Sequence, residues 1–92
     1  MATSFGIEIK KFNGQSFELW KLKMEDLLVD REQWDAVDLG TTPATAAKEE
    51  WDNMERKARS TIHQCLSYLV LVNVFGEKTT KALWDKLGTL YQ

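Results

Sequence analysis

The sequence is short of the residues on which most small-domain chemistry depends. Its 92 residues hold one Cys, one His and one Pro. A single Cys excludes a disulfide framework within the chain. One Cys with one His leaves too few ligands for a structural zinc site. No apolar run approaches the ~20 residues of a membrane span. Charge of one sign is not in excess either: 12 basic against 14 acidic residues give a net charge of −2. That balance supplies no overall electrostatic drive toward nucleic acid. Met1-Ala2-Thr3-Ser4 has no secretory signal, and Ala2 stands where myristoylation needs glycine. These gaps leave a soluble, cytoplasmic, non-catalytic domain as the expectation, with no cofactor, no membrane and no small-molecule substrate.

What is present is apolar bulk: 43% hydrophobic residues and four Trp. A chain this short buries only about 60–65% of the surface it exposes when unfolded, so large side chains must fill its core. Phe5, Ile7 and Ile9 alternate with Gly6, Glu8 and Lys10, the period of an extended segment. Asn13-Gly14 is a turn pair, and Ser16 stands where a helix N-cap belongs. From Phe17 to about Arg31 the period becomes helical: Phe17, Trp20, Met24, Leu27 and Leu28 share one face. A shorter helix is expected over roughly Gln33 to Leu39, stopped by Gly40.

Thr41-Thr42-Pro43 reads as a linker and Thr45 as the N-cap of the longest helix. Its stripe runs Ala47, Trp51, Met54, Ala58, Ile62, Cys65, Leu69, with Asp52, Arg56, Arg59 and His63 opposite. Early Glu49, Glu50 and Asp52 and late Arg56, Lys57 and Arg59 suit the helix dipole. Leu69 to Phe75 is locally ambiguous. Its β-branched content suits a strand, but a lone buried strand lacks a partner, so a short helix with Ser67 as a possible cap and Gly76 as its end is preferred. A last helix from Thr79 or Thr80 to Tyr91 places Leu83, Trp84, Leu87, Leu90 and Tyr91 together, with Gly88 loosening its end. The fold class is all-α: a small bundle of about five helices (16–92) with an extended N-terminal arm (1–15).

Catalytic chemistry finds no foothold in this pattern. His63 is expected in solvent, and Cys65 reads as a small core hydrophobe rather than a nucleophile. Two residues apart on a helix, they do not meet as a nucleophile–base pair. Neighbouring carboxylates (Glu25-Asp26, Glu49-Glu50) read as solvated faces, and Arg56, Lys57 and Arg59 as helix charge patterning. Phe17, Trp20, Trp51, Ile62, Trp84 and Leu87 read as core anchors. Interaction is the more informative theme. Leu22 and Val29, with Leu19 at their edge, lie opposite the core stripe of the first helix, which is therefore sandwiched inside its domain or offers that side to another chain. Trp34, on a helix too short to bury it alone, is either core or a partner contact.

The order and spacing of three segments resemble the N-terminal part of Gag polyproteins from copia-type LTR retrotransposons. They are Lys11-Phe12-Asn13-Gly14 with Phe17, Trp20-Lys21, Lys23-Met24-Glu25-Asp26-Leu27-Leu28; then Trp51, Met54, Lys57-Ala58, Ser60-Thr61-Ile62, Cys65-Leu66-Ser67; then Thr79-Thr80-Lys81-Ala82-Leu83-Trp84, Leu87, Leu90-Tyr91. The resemblance implies a capsid-like lobe that multiplies through Gag–Gag contacts to enclose element RNA. RNA itself would be handled mainly by a zinc knuckle further along a longer Gag. The resemblance also favours a helix over Leu69 to Val74. Tyr68 departs from the acidic residue frequent there, and Leu69 to Phe75 is unusually apolar, marks of an altered surface or a host-domesticated copy. A second reading is therefore an adaptor that grips a peptide or partner in an inter-helix groove, one that the Phe5/Ile7/Ile9 arm could fill. The contacts expected for self-association are Leu19, Leu22, Val29 and Trp34.

Overall fold

The computed structural model describes residues 10–92. The alternation at Phe5, Ile7 and Ile9, with its arm-in-groove expectation, lies outside the described residues. Five helices follow in order: α1 (Phe17–Asp30), α2 (Asp35–Asp38), α3 (Lys48–Gln64), α4 (Tyr68–Val74) and α5 (Thr80–Tyr91). The fold is all-α, and β pairing among the described residues is limited to an isolated bridge between Phe12 and Leu66.

Each helix buries the stripe its spacing dictates. Phe17, Trp20, Met24 and Leu28 of α1 turn inward, as do Trp51, Ala58, Thr61 and Ile62 of α3 and Thr80, Leu83 and Leu87 of α5. Trp20 donates its indole N–H to the Cys65 carbonyl at 3.2 Å, and Phe12 N–H reaches the same oxygen at 2.9 Å. The start of α1 therefore lies against the end of α3. Phe12 sits at the centre of an aromatic cluster, 5.4 Å from Phe17, 5.1 Å from Trp20 and 5.1 Å edge-on to Tyr91. It is only 2% exposed, so one residue of the expected arm belongs to the core while Lys10, Lys11, Asn13 and Gln15 beside it stay exposed.

The caps differ from expectation at three helices. Ser16 adopts a left-handed conformation (φ 58°) and makes no side-chain cap; Asn13 Oδ1 instead accepts from Gln15 N–H at 3.1 Å and turns the chain. Thr45 does not begin α3, because Ala46 N–H closes a turn on the Pro43 carbonyl and Ala47 is the extended residue before Lys48. Ser67 precedes α4 without a side-chain cap, its N–H bridging to the Phe12 carbonyl at 2.8 Å and its carbonyl accepting from Leu71 N–H. Thr79, at the expected start of the last helix, caps α5 by accepting from Ala82 N–H at 3.1 Å. The end of α1 is tied by Gln33 N–H to Leu28 O (2.7 Å) and Glu32 N–H to Val29 O (3.0 Å), with Glu32 in the left-handed position that glycine commonly fills.

Three further expectations are corrected. The second helix shrinks to one turn, which buries Ala36 and Val37 and stops at left-handed Gly40, where a β-carbon would come within 2.7 Å of Lys81 Cδ on α5. Ala47 is exposed, and Leu69, past the end of α3, is 76% exposed, so neither extends the α3 stripe. Trp84 is half-buried rather than a full core anchor, with the Trp34 ring edge-on to it at 5.4 Å. Phe17, Trp20, Trp51, Ile62 and Leu87 are buried.

Candidate interaction surfaces

Two polar devices fix how the helices meet and leave their outer faces as the remaining chemistry. Glu55 of α3 pairs with Arg59 one turn on (3.3 Å), both largely buried. The same carboxylate accepts from the Thr80 N–H at the start of α5, where the helix dipole favours negative charge. Thr80 Oγ1 returns a bond to the Glu55 carbonyl at 2.7 Å, and Arg59 reaches the Lys78 carbonyl. The second device joins α3 to the α1–α2 link: Thr61 Oγ1 lies 2.9 Å from both Gln33 Oε1 and the Lys57 carbonyl. A hydroxyl has one proton, so Thr61 satisfies one acceptor by donating, and a turned Gln33 amide would donate to it in return. Neither device was legible in the sequence, where Glu55 and Gln33 look like any surface residue.

The titratable pair is structural in character. His63 is half-buried, not solvated as its wheel position suggested. Its Nε2 is buried without a partner, and burial, with Arg59 adding to it, lowers the imidazole pKa below 6.5. Burial raises the Cys65 thiol, against the opposing pull of Arg31 and Lys11, which suits a packed thiol and not a nucleophile. Among the described residues, no group of three His, Cys, Asp or Glu could hold a metal. No helix there is long and apolar enough to cross a membrane.

Exposed apolar side chains gather on two helices. On α1, Leu19, Leu22 and Val29 are 56%, 57% and 52% exposed, so this side is not sandwiched within the domain. On α4, Val70 and Val74 face inward while Tyr68, Leu69, Val72 and Phe75 stay in solvent, two of them more than three-quarters exposed. The sequence marked Tyr68 and the apolar Leu69 to Phe75 run as an altered surface, but no contact was expected of this second face. Its signal was the Leu69–Phe75 run, apolar on all sides yet too short to be enclosed all round. Trp34 does not join either face. It is half-buried, edge-on to Trp84 at 5.4 Å, beside a shallow depression of about 690 Å³ that Lys21, Val37 and Asp85 also line.

A separate groove of about 420 Å³ runs between residues 10–16 and α1, floored by Phe12 and Trp20 and edged by Leu19. Among the described residues, Lys10, Lys11 and Lys23 line it and no carboxylate does.

The chain is 34% identical over 86 residues to the retrovirus-related Pol polyprotein from transposon TNT 1-94 of Nicotiana tabacum. The similarity covers 91% of this chain but 6% of that polyprotein. No protein-family profile matches the chain. No solved structure matches it either. The chain is thus a relative of copia-type retrotransposon polyproteins, in keeping with the Gag resemblance of its three segments.

Proposed function

We propose, with kinship to copia-type retrotransposon polyproteins as the premise, that this chain is a structural Gag module that associates with further copies of itself in a particle enclosing element RNA. The homology supports the Gag-related role. The observation that favours self-association is the apolar surplus on the outer faces of α1 and α4, which adds nothing to the core of one copy. A module that meets many linked copies needs only weak individual contacts, because tethering raises their effective concentration.

Sedimentation across a wide concentration range tests the reading. The expected result is a mass that rises with concentration and falls back toward the monomer in Leu22→Glu or in Leu69→Ser combined with Phe75→Ser. A strict monomer at about 1 mM, where contacts worth about 4 kcal/mol are half-populated, would sink it.

A further inference from the structure

We propose that the outer face of α4 pairs with the same face of a second copy of this chain, the two helices lying antiparallel across a two-fold axis near Val72. This rests on the self-association reading and says which face meets which. The face consists of Tyr68, Leu69, Val72 and Phe75, at 77%, 76%, 42% and 69% exposure.

Charge selects a second copy as the occupant. Residues 64–76 carry no charged side chain, so this face has nothing with which to repel its own image and nothing for a charged partner to match. The amide of Asn73 is already engaged, donating to the Tyr91 hydroxyl at 3.1 Å and the Leu69 carbonyl at 3.3 Å. The exposed side of α1 differs. Leu22 has Glu18 one turn before it and Glu25 and Asp26 one turn after it. Lys21 lies by the Phe17 ring at 5.9 Å and Lys23 lines the groove, so both sit at the flanks of that strip. Two copies of α1 laid face to face would set these carboxylates against one another, and like charges across a contact are costly. Of the two apolar faces, α4 is the one that tolerates itself.

Spacing and size agree with charge. Tyr68 and Phe75 are seven residues apart, two helical turns, and lie on one side of α4 about 10 Å from each other along its axis. Reversing a second α4 over the first sets the Tyr68 of each copy against the Phe75 of the other and leaves Val72 near the axis. Offset or edge-on aromatic pairs favour such a contact beyond the area they cover, and the tyrosine hydroxyl stays at the wet rim. With two aromatic and two aliphatic side chains, the face offers roughly 500 Å² per copy, or about 1,000 Å² for the pair. That is the low end for a specific interface, so an isolated pair is weak and tethering of copies strengthens it. A contact of like with like closes at two copies, so any larger assembly needs a different surface as well.

Sedimentation of charge variants at the axis decides it. Val72→Glu and Val72→Lys each place a charge opposite its own copy; circular dichroism checks that both are folded. Each alone is expected to pair at least about tenfold more weakly than wild type, and an equal mixture to recover what each lost. Tyr68→Glu mixed with Phe75→Lys should recover likewise, at more exposed positions, if a charge at Val72 disturbs the fold. In Leu22→Glu, which takes the α1 face out of association, the mass should stop at two copies. If wild type associates but neither mixture recovers, α4 does not meet its own image, and self-association stands on α1. If wild type never associates, the broader reading fails first. If wild type stays monomeric yet floats with phosphatidylcholine vesicles, and Val72→Glu does not, lipid covers α4 and this proposal is overturned.

Discussion

Helices α3 and α4 are joined by three residues and are built on opposite terms. The longer, α3, keeps a continuous inward stripe and gives its outward side to charge, with Glu55, Arg59 and Thr61 each bonded to a neighbouring element. The shorter, α4, commits two valines and part of Leu71 to the core and, with Phe75 at its C-terminal end, leaves four large apolar side chains in water. Host stability thus depends mainly on α3, while α4 adds surface. In a small domain, where every buried methyl counts, those four side chains add nothing to the core of one copy.

The contrast is sharpest in the core. Ile62→Ala, at a position with no exposure, is expected to cost about 2–5 kcal/mol in urea denaturation, whereas the smaller Val74→Ala should cost less, about 1–3 kcal/mol. Equal losses would break the comparison. Next comes the polar clamp. Glu55→Gln keeps the shape but removes the charge that Arg59 and the Thr80 N–H share, and should cost about 1–3 kcal/mol. A loss below about 0.5 kcal/mol, the scale of exposed pairs, would mean that α3 holds α5 by packing alone.

A pH effect follows from His63. Its pKa is depressed in the folded state, so the unfolded chain takes up the proton first. The full contribution of the neutral imidazole is present above about pH 6.5 and is lost as pH falls below it, until the folded state also protonates. Thermal midpoints from pH 7.5 down to 5.5 should decline in wild type, and less steeply in His63→Gln. A parallel decline in both would exclude His63 as the cause. The smallest effect is expected on α4: Leu69→Ser with Phe75→Ser should leave monomer stability within about 0.5 kcal/mol. A larger loss would show that this face supports the fold after all.

These differences also explain what the sequence could disclose. The inward stripes of α1, α3 and α5 were legible because each repeats over two turns or more, and periodicity is a cumulative signal. The start of α5 at Thr79 or Thr80 was legible, but the cap that Thr79 makes to Ala82 N–H was not read. Ser16 and Thr45 carry the same side-chain chemistry but failed as caps, since the local turns at Asn13 and Pro43 had already set the backbone direction. Phe12 was hidden by its parity: it falls out of step with Phe5, Ile7 and Ile9, and only its non-local partner, Leu66, reveals it as core. Glu55 was hidden for a similar reason, because its partner at Thr80 belongs to another helix. The exposed α1 residues Leu19, Leu22 and Val29 were visible as a second apolar side, whereas the α4 face needed the structure to show which of its many apolar residues were left over.

The pairing of Phe12 with Leu66 has a consequence in time. Helical bundles fold fast because most of their contacts are local in sequence. Here the aromatic centre waits for a closure spanning more than half the chain, and loop entropy must be spent before Phe12 meets its partners. On a ribosome, α1 emerges early and has neither the end of α3 nor Tyr91 to pack against. Its half-made apolar stripe must stay out of trouble until the last helix arrives, so the order of synthesis and the order of folding run in opposite directions.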